Sequence, residues 1–159
     1  MPLVLPLAAP VDGRQSETAL AVARGARRLL RARGFSTLCE LTLATGRRAD
    51  IVALSGNSVI HIVEIKSSVA DFRADAKWRE YRDFCDRFYF AVTPDFPADI
   101  LPEDTGLILA DAYGASIERE PGEHRLAPAT RRAVLLRFAQ AAADRLHTLG
   151  DPDAGPAIW

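Results

Sequence analysis

Apolar positions recur at helical spacing near both ends of this chain and at strand spacing through its middle. Ala19, Val22, Ala23, Ala26, Leu29 and Leu30 fall on one helical face, with arginines on the other. Asp12 and Gln15 form a capping pair ahead of that helix, and Gly34 suits a left-handed stop behind it. Residues 37–43, 48–54 and 59–65 read as three strands, with the turn signal Ser55-Gly56-Asn57-Ser58 between the last two. A second helix is predicted from Ser68 or Asp71 to about Asp86, then a fourth strand over 87–93. Residues 94–103 carry three prolines and read as a surface loop, and 106–110 is a fifth, buried strand. Ser116 to Glu118 leads into a Pro121-Gly122 turn. Residues 130–149 form an amphipathic helix with the stripe Leu135, Phe138, Ala142, Leu146 and Leu149, ended by Gly150 and Pro152.

That order predicts an α/β fold: a single domain over residues 12–150 with a central mixed β-sheet flanked by helices. A loose arm at 1–11 precedes it and a tail at 151–159 follows. The length of 159 residues suits one such domain. No apolar run approaches the ~20 residues that cross a membrane, and the N-terminus lacks a signal-peptide pattern. Cys39 and Cys85 are too few for a disulfide framework and lack metal-ligand spacing, so two buried thiols and a reducing, cytoplasmic location are expected.

The net charge of −1 does not announce a nucleic-acid binder. Local clusters change that picture: Arg24, Arg27, Arg28, Arg31 and Arg33 crowd the first helix, where they offer phosphate contacts or simply a solvated face. Lysine usage changes it further. Of the 20 lysines and arginines only Lys66 and Lys77 are lysine, and Lys66 closes the string Glu64-Ile65-Lys66 at the end of an apolar run. Asp50 precedes Glu64 by thirteen intervening residues. Two carboxylates and a lysine on adjacent strands are the parts that hold a divalent cation and ionise a water. They are also the parts of a plain surface ion pair.

Whether the three meet depends on register. With an odd loop centred on Asn57, Leu54 faces Ile60, Val52 faces Ile62, Asp50 faces Glu64 and Arg48 opposes Lys66. Facing residues share one side of the sheet with Cβ atoms ~5 Å apart. An even loop sets Asp50 opposite Val63 and sends the carboxylates to different faces. The hydrophobic pattern admits both.

Asp50, thirteen residues, then Glu64-Ile65-Lys66, between a helix before and a helix after, resembles the core of the PD-(D/E)xK nucleases, a restriction-endonuclease-like fold. The stretch Asp71-Phe72-Arg73, Asp75, Lys77-Trp78, Tyr81 and Cys85-Asp86-Arg87-Phe88-Tyr89-Phe90-Ala91-Val92 resembles the MmcB-type group of DNA repair proteins within it. The resemblance implies a Mg²⁺- or Mn²⁺-dependent deoxyribonuclease, an endonuclease or repair nuclease hydrolysing phosphodiester bonds. DNA, and other repair proteins, are the partners it implies. Asp50, Glu64 and the Ile65 carbonyl would hold the metal, and Lys66 would orient or deprotonate the attacking water. Relatives often add a carboxylate from the first helix, here Glu17, although the helical wheel sets it opposite the apolar stripe. Glu40 is the competing third carboxylate if the loop at 44–46 is odd. In the RecB-like branch a Gln and, four residues on, a Tyr follow the lysine. Lys77 and Tyr81 have that spacing, which keeps a DNA-backbone contact open on one helical face while departing from Gln. Trp78 reads as core, and His61 as a packed histidine on the opposite strand face. The alternative reading is a catalytically silent DNA- or partner-binding module on the same fold.

Overall fold

The structure is a computed structural model that describes residues 16–156. The arm expected at 1–11 and the capping residues Asp12 and Gln15 lie outside that range. The first helix, α1 (Glu17–Ala32), is capped instead by Ser16, whose hydroxyl accepts the Ala19 N–H at 3.1 Å. Gly34 ends it with φ +87°, a left-handed conformation that costs glycine little. There follow β1 (Ser36–Thr42), β2 (Arg48–Leu54) and β3 (Ile60–Ile65), an antiparallel meander. Then come α2 (Val69–Ala74), a 3₁₀ helix (Trp78–Phe84), β4 (Arg87–Val92) and β5 (Gly106–Ala110). The strands β3, β4 and β5 run parallel, and β6 (Ala115–Arg119) turns back antiparallel on β5. The helix α3 (Pro128–Gly150) follows, with proline at its first position where a missing N–H costs nothing. Residues 151–156 continue without helix or strand.

Among the described residues the sheet is thus six-stranded, in the order β1-β2-β3-β4-β5-β6, and mixed. One face is covered by α1: Val22, Ala26 and Leu30 pack with Ile51, Ala53, Val63, Tyr89 and Ile108. The other face, with Val52, Ile60, Ile62, Phe88 and Phe90, packs under Trp78, Tyr81, Val134 and Ala141 from the 3₁₀ helix and α3. Burial on both faces explains why the central strands are apolar without alternation. Gly25 lets α1 come down on the β5–β6 turn, because a Cβ there would overlap the carbonyl oxygens of Asp111 and Gly114.

Four expectations need correcting. The predicted helix from Ser68 or Asp71 to Asp86 is broken at 75–77 into α2 and the 3₁₀ helix. At about 100° per residue, Phe72 and Tyr81 would sit on opposite sides of a continuous helix, yet both pack toward the same core. A sixth strand exists where only a lead into a turn was expected, and the loop at 94–103 holds one 3₁₀ turn, Ala98–Ile100. Finally, the stripe expected on α3 holds in part: Leu135 and Phe138 pack against the core, but the buried positions are Val134 and Ala141, and Leu146 is 70% exposed. Rotation of the helix brings Arg145 inward, where its guanidinium donates to the carbonyls of Cys39 and Glu40.

His61 lies on the α1 face, as expected, between the rings of Phe35 (4.5 Å) and Tyr89 (5.4 Å), and its Nδ1 has no partner among the described residues. Burial, helped by the charge of Arg87, lowers its pKa to about 4. A histidine held neutral in this way supports the fold above its unfolded pKa of ~6.5, and the support is lost as pH falls toward 4. Between pH 7 and pH 5 the loss should be about 2 kcal/mol. Urea unfolding of His61→Phe should show a correspondingly flatter dependence on pH than the parent. Parallel curves would mean that His61 is not buried as described.

Candidate active site

The β2–β3 loop is odd: Leu54 pairs with Ile60, Val52 with Ile62 and Ile51 with Val63. Asp50 and Glu64 come next in this register, and there the ladder changes character. The Asp50 N–H donates to Glu64 Oε1 at 2.9 Å, and the Ile65 N–H donates to Asp50 Oδ2 at 2.8 Å. Each carboxylate is thus tied to a backbone N–H of the neighbouring strand. That pairing fixes both side chains to main chain and turns them toward each other on the face opposite α1. The Arg48 guanidinium pairs with the carboxylate of Glu40 on β1.

Glu64 is 4% exposed, and Asp50 is half-buried. Burial, then the charge of Asp50, pushes the Glu64 carboxyl well above its ordinary range, and burial likewise raises Asp50. The Ile65 N–H and the charge of Lys66 offset only part of the Asp50 shift. Two acids drawn together out of water are short of positive charge. Among the described residues no group of three or more His, Cys, Asp and Glu side chains is gathered as a cage. The donor set is hard oxygen from two carboxylates, which suits a cation such as Mg²⁺ that keeps several waters.

Lys66 is 5% exposed and pairs with Asp75, Nζ to Oδ2 at 2.6 Å. Burial draws its pKa down, but the Asp75 hydrogen bond and charge outweigh burial and hold it raised. The ammonium is therefore a fixed positive charge. Asp75 stands in the stretch that carries the family resemblance but was given no role there, although the phase slip between Phe72 and Tyr81 marks the break it occupies.

The other expected residues scatter. Glu17 is exposed in the first turn of α1, the helix on the opposite face of the sheet. Glu40 aligns with Asp50 between the pairs Cys39–Ile51 and Leu41–Ala49, and is buried. Its backbone is left-handed, φ +54°, a conformation that costs a non-glycine residue about 1 kcal/mol or more. Arg145 holds it there through the two carbonyls at Cys39 and Glu40. Arg24 and Arg28 are exposed on α1, and Arg28 donates to the Tyr113 carbonyl at 3.0 Å. Lys77 is exposed next to the break, with its N–H on Asp75 Oδ1 at 2.8 Å. Tyr81 does not share a helical face with it: it is buried, and its hydroxyl donates to the Arg48 carbonyl at 3.0 Å, bracing β2. Trp78 is core, stacked on Phe88, with the guanidinium of Arg79 4.8 Å from its ring centre. Both cysteines are free thiols, Cys85 buried and Cys39 half-buried. Among the described residues no helix is long and apolar enough to cross a membrane.

Comparison with known proteins matches residues 7–153 to a family described as DNA repair protein MmcB-like. A solved structure, a protein of unknown function from Silicibacter pomeroyi (SPO1766), is 43% identical, with a TM-score of 0.85 over 91% of this chain and 99% of that one. None of the curated proteins matches the chain.

Proposed function

This chain belongs to the MmcB-like family of DNA repair proteins, and from that premise we propose that it is a metal-dependent deoxyribonuclease of the PD-(D/E)xK type acting in repair. The observation that carries the reading is a pair of main-chain hydrogen bonds, Asp50 N–H to Glu64 Oε1 and Ile65 N–H to Asp50 Oδ2, which holds one buried and one half-buried carboxylate close together at the end of one hairpin. A structural ion pair has no use for two acids forced together, because their repulsion opposes folding.

In this reading Asp50, Glu64 and the Ile65 carbonyl hold Mg²⁺ or Mn²⁺. When bound, the ion lowers the pKa of a coordinated water and offsets charge on the scissile phosphate. Lys66 contributes a fixed positive charge toward the phosphate and orients the nucleophile; kept charged by Asp75, it is poorly suited to act as the base. Lys77, exposed beside Asp75, engages the DNA backbone close to the carboxylates, whereas Arg24 and Arg28 meet DNA only where it reaches the α1 face. Recognition through backbone and shape follows from this set of contacts.

Calorimetry with Mn²⁺ tests the metal site. The parent should bind at millimolar concentration or tighter, and Asp50→Asn and Glu64→Gln should each lose that binding. Both amides keep an oxygen for the N–H they accept, and both relieve the repulsion. Without metal the two variants should therefore melt no lower than the parent. Equal Mn²⁺ binding by parent and variants would remove the site.

A further inference from the structure

Lys66 poses a problem for a metal site. A buried ammonium beside two carboxylates short of positive charge is their natural counter-ion, and in that role it would compete with any divalent cation. Among the described residues its one ion pair is nevertheless with Asp75, at 2.6 Å, and not with Asp50 or Glu64. Asp75 is held from three sides. Its Oδ1 accepts the Lys77 N–H at 2.8 Å, its own N–H donates to the Phe72 carbonyl at 3.2 Å, and the Lys66 ammonium occupies Oδ2. It stands where the polypeptide leaves α2 and has not yet entered the 3₁₀ helix, so the break in the helix delivers this carboxylate to the lysine. The break itself is anchored, since Ser68 caps α2 through the Asp71 N–H and Asp71 accepts the Ser67 N–H in return.

We propose that Asp75 is a positioning residue that holds the Lys66 ammonium off the Asp50–Glu64 pair, so that the pair's negative charge stays open to a divalent cation. The proposal rests on the metal-site reading above and adds a third acid that reaches the site through the lysine. It also explains why a lysine can be buried within the field of two ligands without displacing what they bind.

The test is a double-mutant cycle on the full chain, read as Mn²⁺ affinity by calorimetry, with parent, Asp75→Asn, Lys66→Ala and the double variant. Asparagine keeps an acceptor for the Lys77 N–H, and circular dichroism verifies that each variant is folded. With the lysine released toward the carboxylates, Asp75→Asn should bind Mn²⁺ about tenfold or more weakly. Lys66→Ala should bind no less tightly than the parent, and the double variant should match Lys66→Ala. Parental affinity in Asp75→Asn would overturn the proposal. So would a loss that persists in the double variant, which would make Asp75 a metal ligand or a structural support. A folded parent and a folded Lys66→Ala that both fail to bind Mn²⁺ would overturn the metal-site reading, and this proposal with it.

Discussion

Asp86→Ala should lose about 3–5 kcal/mol of folding free energy, the scale for breaking a buried charged hub. Asp86 is 1% exposed and ties together segments far apart in the chain. Its carboxylate accepts the Ile60 N–H at 2.8 Å and the Leu126 N–H at 3.0 Å, and takes both arms of the Arg131 guanidinium at 2.7 Å. Its carbonyl also accepts the His124 N–H at 2.7 Å. Burial alone would raise its pKa, but Arg131 and the two N–H donors hold it down at about 2. Alanine strands the Ile60 and Leu126 N–H groups and takes from the Arg131 guanidinium on α3 its carboxylate partner. Asp86→Asn keeps one acceptor oxygen and should cost less than alanine. Urea unfolding at pH 7 reads both, and a loss under 1 kcal/mol for Asp86→Ala would mean that the hub is not the clasp between β3, β4 and α3.

Lys66→Arg should lower DNA cleavage by ~10²-fold or more, the scale for a displaced electrostatic donor, while Mn²⁺ affinity is kept. The side chain lies in a closed site, 5% exposed, where Nζ meets a single carboxylate oxygen at 2.6 Å. A planar guanidinium keeps the charge but cannot put one compact donor at that point, so the position of charge relative to the phosphate changes. Lys66→Ala should be no less damaged. In a chain that otherwise uses arginine almost exclusively, a surface ion pair would not have required lysine. Parental cleavage by Lys66→Arg would return Lys66 to the role of an ion-pair partner.

The strands of the hairpin that carries the site were legible because their determinants are local, whereas its register was not. The loop at 55–59 holds five residues, which is odd, and alternation then forces Asp50 and Glu64 onto one face. Sequence pattern admitted both registers, since β2 and β3 are apolar on both sides. The central strands and α1 were legible for the same local reason. β6 was not, because it is a half-exposed edge strand whose only ladder partner among the described residues is β5. Asp75, Asp86 and Arg145 act through contacts 9, 45 and 106 residues away in the chain, which no periodicity encodes. The helix break was encoded: Phe72 and Tyr81 fall out of helical phase, and an aspartate stands between them. Glu40 falls in line with Asp50, which the sequence left conditional on an odd loop, and its left-handed backbone and the arginines at its side follow only from packing.

The family match and the 43% identical structure fix the fold and the kinship, and leave the chemistry to the residues. The direct measurement is cleavage of a nicked or branched DNA duplex by the purified full chain, with Mg²⁺, with Mn²⁺ and with neither, beside Glu64→Gln prepared identically. Strand scission by the parent is expected only when a divalent metal is present, and none by Glu64→Gln under any condition. Scission by Glu64→Gln at the parental rate, or an inert parent that nonetheless binds DNA with metal present, would contradict the nuclease reading.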